Sequence, residues 1–435
     1  MQQTTFYLLT FGLPLVFVWI VYAVRAQRKN RRARKKWEES ERSGLNEPTS
    51  LHPSINPNIC LGCGACVTAC PEGDVLGIIK RKAVLISPTA CIGHGACRKA
   101  CPVNAIELVF GTETRGVEIP VLSEDFETNV PGMYIAGELG GMGLIRNAVM
   151  QGQQAVDAIA KKLDKSSKAQ YDLVIVGAGP SGLSASLAAK DKNLKAITLE
   201  QDTVGGAIAH YPRGKVVMTQ PANLPLIGKF NFAEASKEQL VEFWDRVLKQ
   251  ASLSIKTRAK VENIEKTRNG FVVTSSAGQF ETQKVLLAMG RRGTPRKLGV
   301  PGEELSKVVY KLYDPEQYKS SKVLVVGGGD SAIEAAVSIS EQAGAQVIIS
   351  YRGNAFSRAK PKNRERLEAA AKKGRLKILL ESNVASISHK HVKIDLPDKT
   401  INVDNDIVVV CAGGILPTPF LRKVGIDVEE KFGTA

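Results

Sequence analysis

The sequence predicts an α/β protein with two Rossmann-like dinucleotide-binding domains, a small cysteine-rich α+β module and one N-terminal apolar helix. Three observations carry this. Glycine-rich turns follow apolar strand patterns at Gly177 and again at Gly327. Seven of the eight cysteines fall between Cys60 and Cys101. The stretch from Thr4 to Val24 holds no charged residue. With 435 residues, the chain has room for two or three domains with real cores.

The apolar stretch is about the length that crosses a bilayer core as a helix. Trp19 and Tyr22 lie near its end, where amphipathic aromatics sit at an interface. A basic run follows directly: Arg25, Arg28, Lys29, Arg31, Arg32, Arg34, Lys35 and Lys36. The formal net charge is +16. A basic excess also fits nucleic acid, but no helix-turn-helix or basic recognition helix is evident. A cleaved signal peptide carries its charge before the apolar run and a small-residue site after it, and this chain shows neither. The expected layout is a transmembrane helix over residues 1–24 and a basic linker over 25–55. The basic side is cytoplasmic, which makes a single-pass protein of the cell membrane with its catalytic domains in the cytoplasm.

The first cysteine run is Cys60-x2-Cys63-x2-Cys66-x3-Cys70-Pro71. It recurs as Cys91, His94, Cys97, Cys101 and Pro102. Thiolates at this spacing wrap one iron–sulfur cluster, with the fourth reaching across to a second. Zinc sites usually take four ligands in two pairs, not two interleaved runs. Disulfides do not suit the cytoplasmic side of a membrane. Residues 56–110 resemble a bacterial two-cluster ferredoxin. The resemblance implies Cys60, Cys63, Cys66 and Cys101 on one 4Fe–4S cluster, and Cys70, Cys91 and Cys97 with His94 on the other. His94 stands where a cysteine is expected. Either its imidazole binds iron and raises that cluster's potential, or the second cluster is a three-iron form. Cys411 falls in an apolar run and reads as a buried strand residue without a redox role.

The first dinucleotide unit runs from the strand pattern Asp172–Val176 through Gly177, Gly179 and Gly182 into a helix, then to a strand ending at Glu200. This is the GxGxxG fingerprint with its terminal acid. The glycines admit a pyrophosphate, the helix N-terminus stabilises its charge, and Glu200 is placed for the adenosine ribose. The second unit is Val323–Val326, then Gly327, Gly329 and Ala332, and a strand ending at Tyr351-Arg352-Gly353. An arginine there meets a ribose 2′-phosphate, which selects NADPH over NADH. Arg358 and Lys360 add charge close behind. A solvated basic loop is the alternative for this stretch.

Two such units, with Met289-Gly290-Arg291-Arg292-Gly293-Thr294-Pro295 between them, resemble the thioredoxin reductase-like flavoproteins. The resemblance implies FAD on the first unit, NAD(P) on the second, and a homodimer. Two departures matter. The stretch from Val309 to Lys322 has no cysteine, so the family's dithiol relay is absent. That shifts the likeness toward ferredoxin–NADP reductases of this fold and bacillithiol disulfide reductase-like proteins. The family's closing strand and helix are also expected after the second unit, yet a segment resembling them lies earlier, at Ile119–Leu163. It contains Tyr134-Ile135-Ala136-Gly137-Glu138, where Gly137 and Glu138 take the flavin-contacting positions. A circular permutation follows. Its parts are a permuted FAD-domain segment over 111–165, the FAD domain over 170–293, the NAD(P) domain over 294–411 and a return to the FAD domain over 412–435. The alternative for the early segment is a spacer.

The expected function is a membrane-anchored NAD(P)H oxidoreductase. It moves electrons between NAD(P)H, FAD and iron–sulfur clusters, to or from a protein or small-molecule redox partner. No general acid or base is assigned, since hydride transfer requires none. A low-molecular-weight disulfide or quinone reductase and an iron–sulfur redox sensor are the other readings.

Overall fold

The computed structural model describes residues 12–433 except 43–47, 49, 50, 92, 115, 142, 212, 214, 215, 219–221, 231–233, 292–294 and 358. The chain divides into two compact units, Met1–Gly116 with Phe432–Ala435, and Val117–Lys431.

The first unit opens with a helix, Leu13–Arg42. Pro14 stands in its first turn, and no Gly or Pro occurs from Leu15 to Ser43. Ala, Arg, Lys, Gln and Glu fill its second half, and all are strong helix formers. This corrects the linker expected over 25–55, because the basic run is helical and folds against the cysteine module. Ala33 and Ser40, two turns apart on one face, are buried. Gly77 permits the approach, since a Cβ there would lie 2.7 Å from that of Ala33. Asp74 holds Arg32 and Lys36 at 2.8 and 2.7 Å. The expected linker also contained a strand, His52–Ile55, which pairs antiparallel with Ile106–Val109 and joins the two ends of the module.

From Leu13 to Val24 the large apolar side chains stand out from the helix, Leu15 at 70% and Tyr22 at 71% exposure. Among the described residues, no helix is long and apolar enough to cross a membrane. The expected span starts at Thr4, and its residues up to 11 lie outside the described ones.

The cysteine module repeats in structure as it does in sequence. Each run ends in a short helix, Ala65–Ala69 or Ala96–Lys99. A left-handed glycine precedes each, Gly64 at φ 81° and Gly95 at φ 72°. A hairpin of Leu76–Ile79 and Lys82–Leu85 lies between the runs.

In the second unit, Tyr171–Val176 is the central strand of the first sheet. Leu173 and Ile175 enter one core, and Val174 and Val176 enter the other. Burial on both faces is what a parallel strand under two layers requires. On one side it pairs with Ala196–Leu199, and beyond that lies Ile255–Lys256. On the other it pairs parallel with the long strand Gly278–Leu287. The far side of that long strand takes two partners. Gly270–Ser275 pairs antiparallel with its first half, and Met133–Ile135 pairs parallel with Val285–Leu287. The early segment is therefore part of this sheet, and the spacer alternative fails. Its helix, Ile145–Lys161, packs on the helix Pro180–Asp191 so closely that a Cβ on Gly152 would strike the Ser181 carbonyl.

The second sheet is parallel, in the order Val308–Val309, Ile407–Val410, Lys322–Val326, Gln346–Ser350, Leu376–Leu379. A three-stranded antiparallel meander over Asn383–Asp404 follows its last strand. The unit's two ends meet, because Val117–Pro120 pairs antiparallel with Val428–Lys431. Glu118 secures this join, accepting from Thr418 Oγ1 and Arg422 Nη2 at 2.9 Å each, while its carbonyl accepts from Arg291 Nη2 at 2.9 Å. A Glu118→Ala variant should lower stability by about 1–2 kcal/mol, given the partial exposure of these groups. Thermal unfolding checks this, and Glu118→Gln should recover part of the loss.

Candidate functional site

Four cysteines from both runs line one cavity: Cys60, Cys63, Cys66 and Cys101. Backbone N–H groups point at two of the sulfurs. Ala83 N donates to Cys60 Sγ at 3.4 Å, and Ala105 N to Cys101 Sγ at 3.2 Å. Burial, reinforced by the charge of Cys60, pushes the Cys66 thiol up to about 11. A metal centre must displace that proton to bind. Among the described residues, no three His, Cys, Asp or Glu side chains converge on a single metal ion. The thiol set instead surrounds a space, and all-sulfur donors of this kind fit an iron–sulfur cluster.

The remaining cysteines gather separately. Burial pushes the Cys91 thiol up to about 11, with Cys97, Cys70 and Glu72 adding to the rise. Cys70 and Cys97 are raised mainly by burial as well. His94 lies at the same place, its Nε2 3.6 Å from Glu72 Oε1. Glu72, directly after the Cys70-Pro71 pair, gave no sequence signal. Cys411 follows the strand Ile407–Val410, and burial pushes its thiol up to about 12.

At the first glycine loop, Gly177 has φ 104°, a backbone state that L side chains rarely adopt. A Cβ on Gly182 would strike the Gly177 carbonyl, so helix and turn close directly on each other. A Cβ on Gly179 would meet only Gly206 Cα, at 3.8 Å, which leaves its outer side open. Ser181 is 4% exposed, and its hydroxyl has no hydrogen-bond partner among the described residues. Glu200 is buried, with Oε2 accepting from Ala178 N at 2.7 Å and Oε1 from Asp202 N at 2.9 Å. Each oxygen keeps a further lone pair. An open glycine cradle beside an unsatisfied buried hydroxyl fits a dinucleotide pyrophosphate. Gly137 comes up to the same helix start, where a Cβ would sit 2.9 Å from that of Ser181. Its N–H donates to Gln151 Oε1 at 2.8 Å. Glu138 follows it, half-buried, beside Arg291. Burial lowers the Arg291 pKa, and Glu138 and Glu118 oppose that shift.

At the second loop, Gly329 opens on clear space and Ala332 is fully buried. Tyr351 covers Gly328, and its ring stacks on Phe356 at 5.4 Å with an interplanar angle of 16°. Asp330 Oδ1 accepts from Lys360 N and Asn363 Nδ2 at 2.8 Å each, tying the loop to the helix Pro361–Lys372. Arg352 is exposed beside this platform. Arg358 lies outside the described residues. The contacts of Tyr351 and Asp330 carry no sequence signal, because the fingerprint fixes only its glycines and the alanine.

Two dinucleotide loops, one on a mixed and one on a parallel sheet, with a thiol-lined cavity in a separate module, define a flavin- and nicotinamide-type oxidoreductase with an iron–sulfur domain. The chain belongs to the pyridine nucleotide-disulphide oxidoreductase family, whose model matches residues 174–434. A 4Fe–4S dicluster domain model matches residues 52–102. The chain is thus an FAD-dependent oxidoreductase carrying a 4Fe–4S domain. Bacilliredoxin reductase Bdr of Bacillus subtilis is 28% identical over 271 residues, 61% of this chain and 83% of Bdr. The ferredoxin–NADP reductase of Picrophilus torridus is 31% identical over 258 residues, 56% of this chain and 73% of the relative. That of Levilactobacillus brevis is 35% identical over 173 residues, 38% of this chain and 49% of the relative. Bacillithiol disulfide reductase Bdr from Staphylococcus aureus superposes with a TM-score of 0.52 at 26% identity, covering 60% of this chain and 81% of that one.

Proposed function

We propose that this protein is a membrane-anchored NADPH oxidoreductase that moves electrons between NADPH, FAD and two iron–sulfur clusters, to or from an external redox partner. The observation that carries this reading is the cavity where Cys101, from the second run, joins Cys60, Cys63 and Cys66 from the first. That cross-connection is what a two-cluster module needs. Cys70, Cys91 and Cys97 supply the second set, with His94 as its fourth donor and Glu72 orienting the ring. When bound, FAD supplies the conversion of a hydride pair into single electrons.

The protein's own groups bind and orient. Glu200 holds a ribose, the Gly179 side of the loop admits the pyrophosphate, and Gly137 and Glu138 close on the flavin side. Arg352 meets the 2′-phosphate of NADPH. An Arg352→Ala variant should therefore raise the KM for NADPH about 10–100-fold while changing that for NADH little. Steady-state kinetics with both nucleotides check this, and equal changes would refute the role.

The exposed apolar turns from Leu13 to Val24, followed by the basic run, support a single-pass anchor with the redox units on the cytoplasmic side. The sheet place of Met133–Ile135 and the join of Val117–Pro120 with Val428–Lys431 support a circularly permuted flavin domain. The names of the ferredoxin–NADP reductase relatives favour exchange between nicotinamide and iron–sulfur centres. The likeness to Bdr favours a second reading, a disulfide reductase, which would have to work without a cysteine pair between Val309 and Lys322.

Anaerobic titration of the purified protein with NADPH separates these. Flavin bleaching followed by a cluster EPR signal is the expected result. Bleaching with silent clusters would favour the disulfide reductase, and a flavin that neither NADPH nor NADH bleaches would sink both.

A further inference from the structure

We infer that the ferredoxin-like module delivers its electrons at the Ile59–Cys63 loop to a quinone dissolved in the bilayer. The inference rests on the membrane anchor proposed above.

Two features of the module lead to it. The first is the loop itself. Cys60 is buried, Cys63 is exposed, and the apolar side chains on either side of Cys60 stand in solvent, Ile59 at 46% and Leu61 at 67% exposure. Between them, a Cβ on Gly62 would strike the Arg81 carbonyl, so the loop is pinned to the hairpin. One exposed leucine is ordinary. Two large apolar side chains on a pinned loop, beside an exposed cysteine of the cluster cavity, make a small apolar contact point. It is too small for a protein interface, but suited to a lipophilic ring.

The second feature is the helix Leu13–Arg42. It runs without a break from the exposed apolar turns into the face that carries the module. At about 1.5 Å rise per residue, Ala33 lies only about 14 Å beyond Val24 along its axis. Ala33 against Gly77, and Asp74 between Arg32 and Lys36, make that attachment a fixed strut. Arg28, Arg31 and Lys35 are exposed at i, i+3 and i+7, on the face opposite Ala33 and Ser40, where anionic headgroups meet them. A module attached to the helix this near the hydrocarbon boundary is placed to meet a carrier confined to the membrane.

The step balances. NADPH gives up a hydride, two electrons with one proton, and becomes NADP⁺. The quinone takes two electrons and two protons and becomes quinol, the second proton coming from water. The module passes the electrons singly.

The test uses the full chain in liposomes containing a long-tailed benzoquinone. The clusters are first reduced with dithionite, so that the readout does not depend on NADPH. The EPR signal of the reduced cluster should disappear when quinone-loaded vesicles are used and persist in quinone-free vesicles. In the Ile59→Ser/Leu61→Ser variant, which should keep its cluster signal, reoxidation should slow at least tenfold with vesicle quinone and not with ferricyanide. A second variant, Asp74→Lys, should slow the vesicle reaction alone by releasing the strut. Clusters that stay reduced in the presence of vesicle quinone would overturn the inference. So would equal rates for the loop variant and the parent protein. Failure of NADPH to bleach the flavin, measured separately, would overturn the nicotinamide reading while leaving the quinone result standing.

Discussion

A Gly179→Val variant is expected to fold but to be purified without flavin. Gly179 has φ −80° and ψ −176°, an extended conformation that any residue adopts. The nearest atom to its missing Cβ is Gly206 Cα, at 3.8 Å, so the protein itself has room for a side chain. The space that valine would fill is the open side of the loop, at the start of the helix Pro180–Asp191 and next to the unpartnered Ser181 hydroxyl. Flavin retention should drop at least about tenfold, more than about 1.4 kcal/mol of binding. Thermal unfolding of the apoprotein should be nearly unchanged. Gly182→Val makes the contrast, since its Cβ strikes the Gly177 carbonyl and the domain itself should fail to form. Absorbance at the flavin band against protein content reads the outcome. A flavin-replete Gly179→Val protein would disprove the assignment of this loop.

A Cys101→Ala variant should lose one cluster completely and keep the other. Chain order groups Cys101 with Cys91 and Cys97, only a few residues away. The fold places it on the cavity of Cys60, Cys63 and Cys66 instead. Its loss should therefore match that of Cys60→Ala, with about half of the iron gone and the same EPR signal missing in both. Cys97→Ala should remove the other signal. If Cys101→Ala and Cys97→Ala removed the same signal, the cross-connection would be wrong. Flavin content is the control, and it should not change in any of the three.

Those two predictions use features that a local pattern exposes well. A glycine turn between strand and helix, or a cysteine run with fixed spacing, is short and sterically demanding, so the sequence nearly dictates it. Within the segment Ile119–Leu163, the motif Tyr134–Glu138 is of the same short kind, and Met133–Ile135 beside it pairs with Val285–Leu287. The basic helix was not legible. Its docked face needs only Ala33 and Ser40, small residues that leave no apolar period, while its many charges read as a solvated tether. The partners of His94 and Gly328 were hidden too. Glu72 and Tyr351 reach them by folding of the chain, and no spacing rule links those pairs.

The place of Met133–Ile135 beside Val285–Leu287 also governs the order of events during synthesis. The strand emerges from the ribosome long before its partner, and the flavin-domain sheet cannot close until the chain has grown past Leu287. Pairing at that separation is slow to nucleate. The cysteine module has no such wait, because its own strands are complete once Val109 has emerged. Domains made first fold first. The nascent protein is thus able to take up iron and sulfide while the flavin site is still unmade. In an iron-starved host, apoprotein that lacks clusters should accumulate with its flavin in place, whereas flavin starvation should leave a loaded module and a folded, flavin-free second unit.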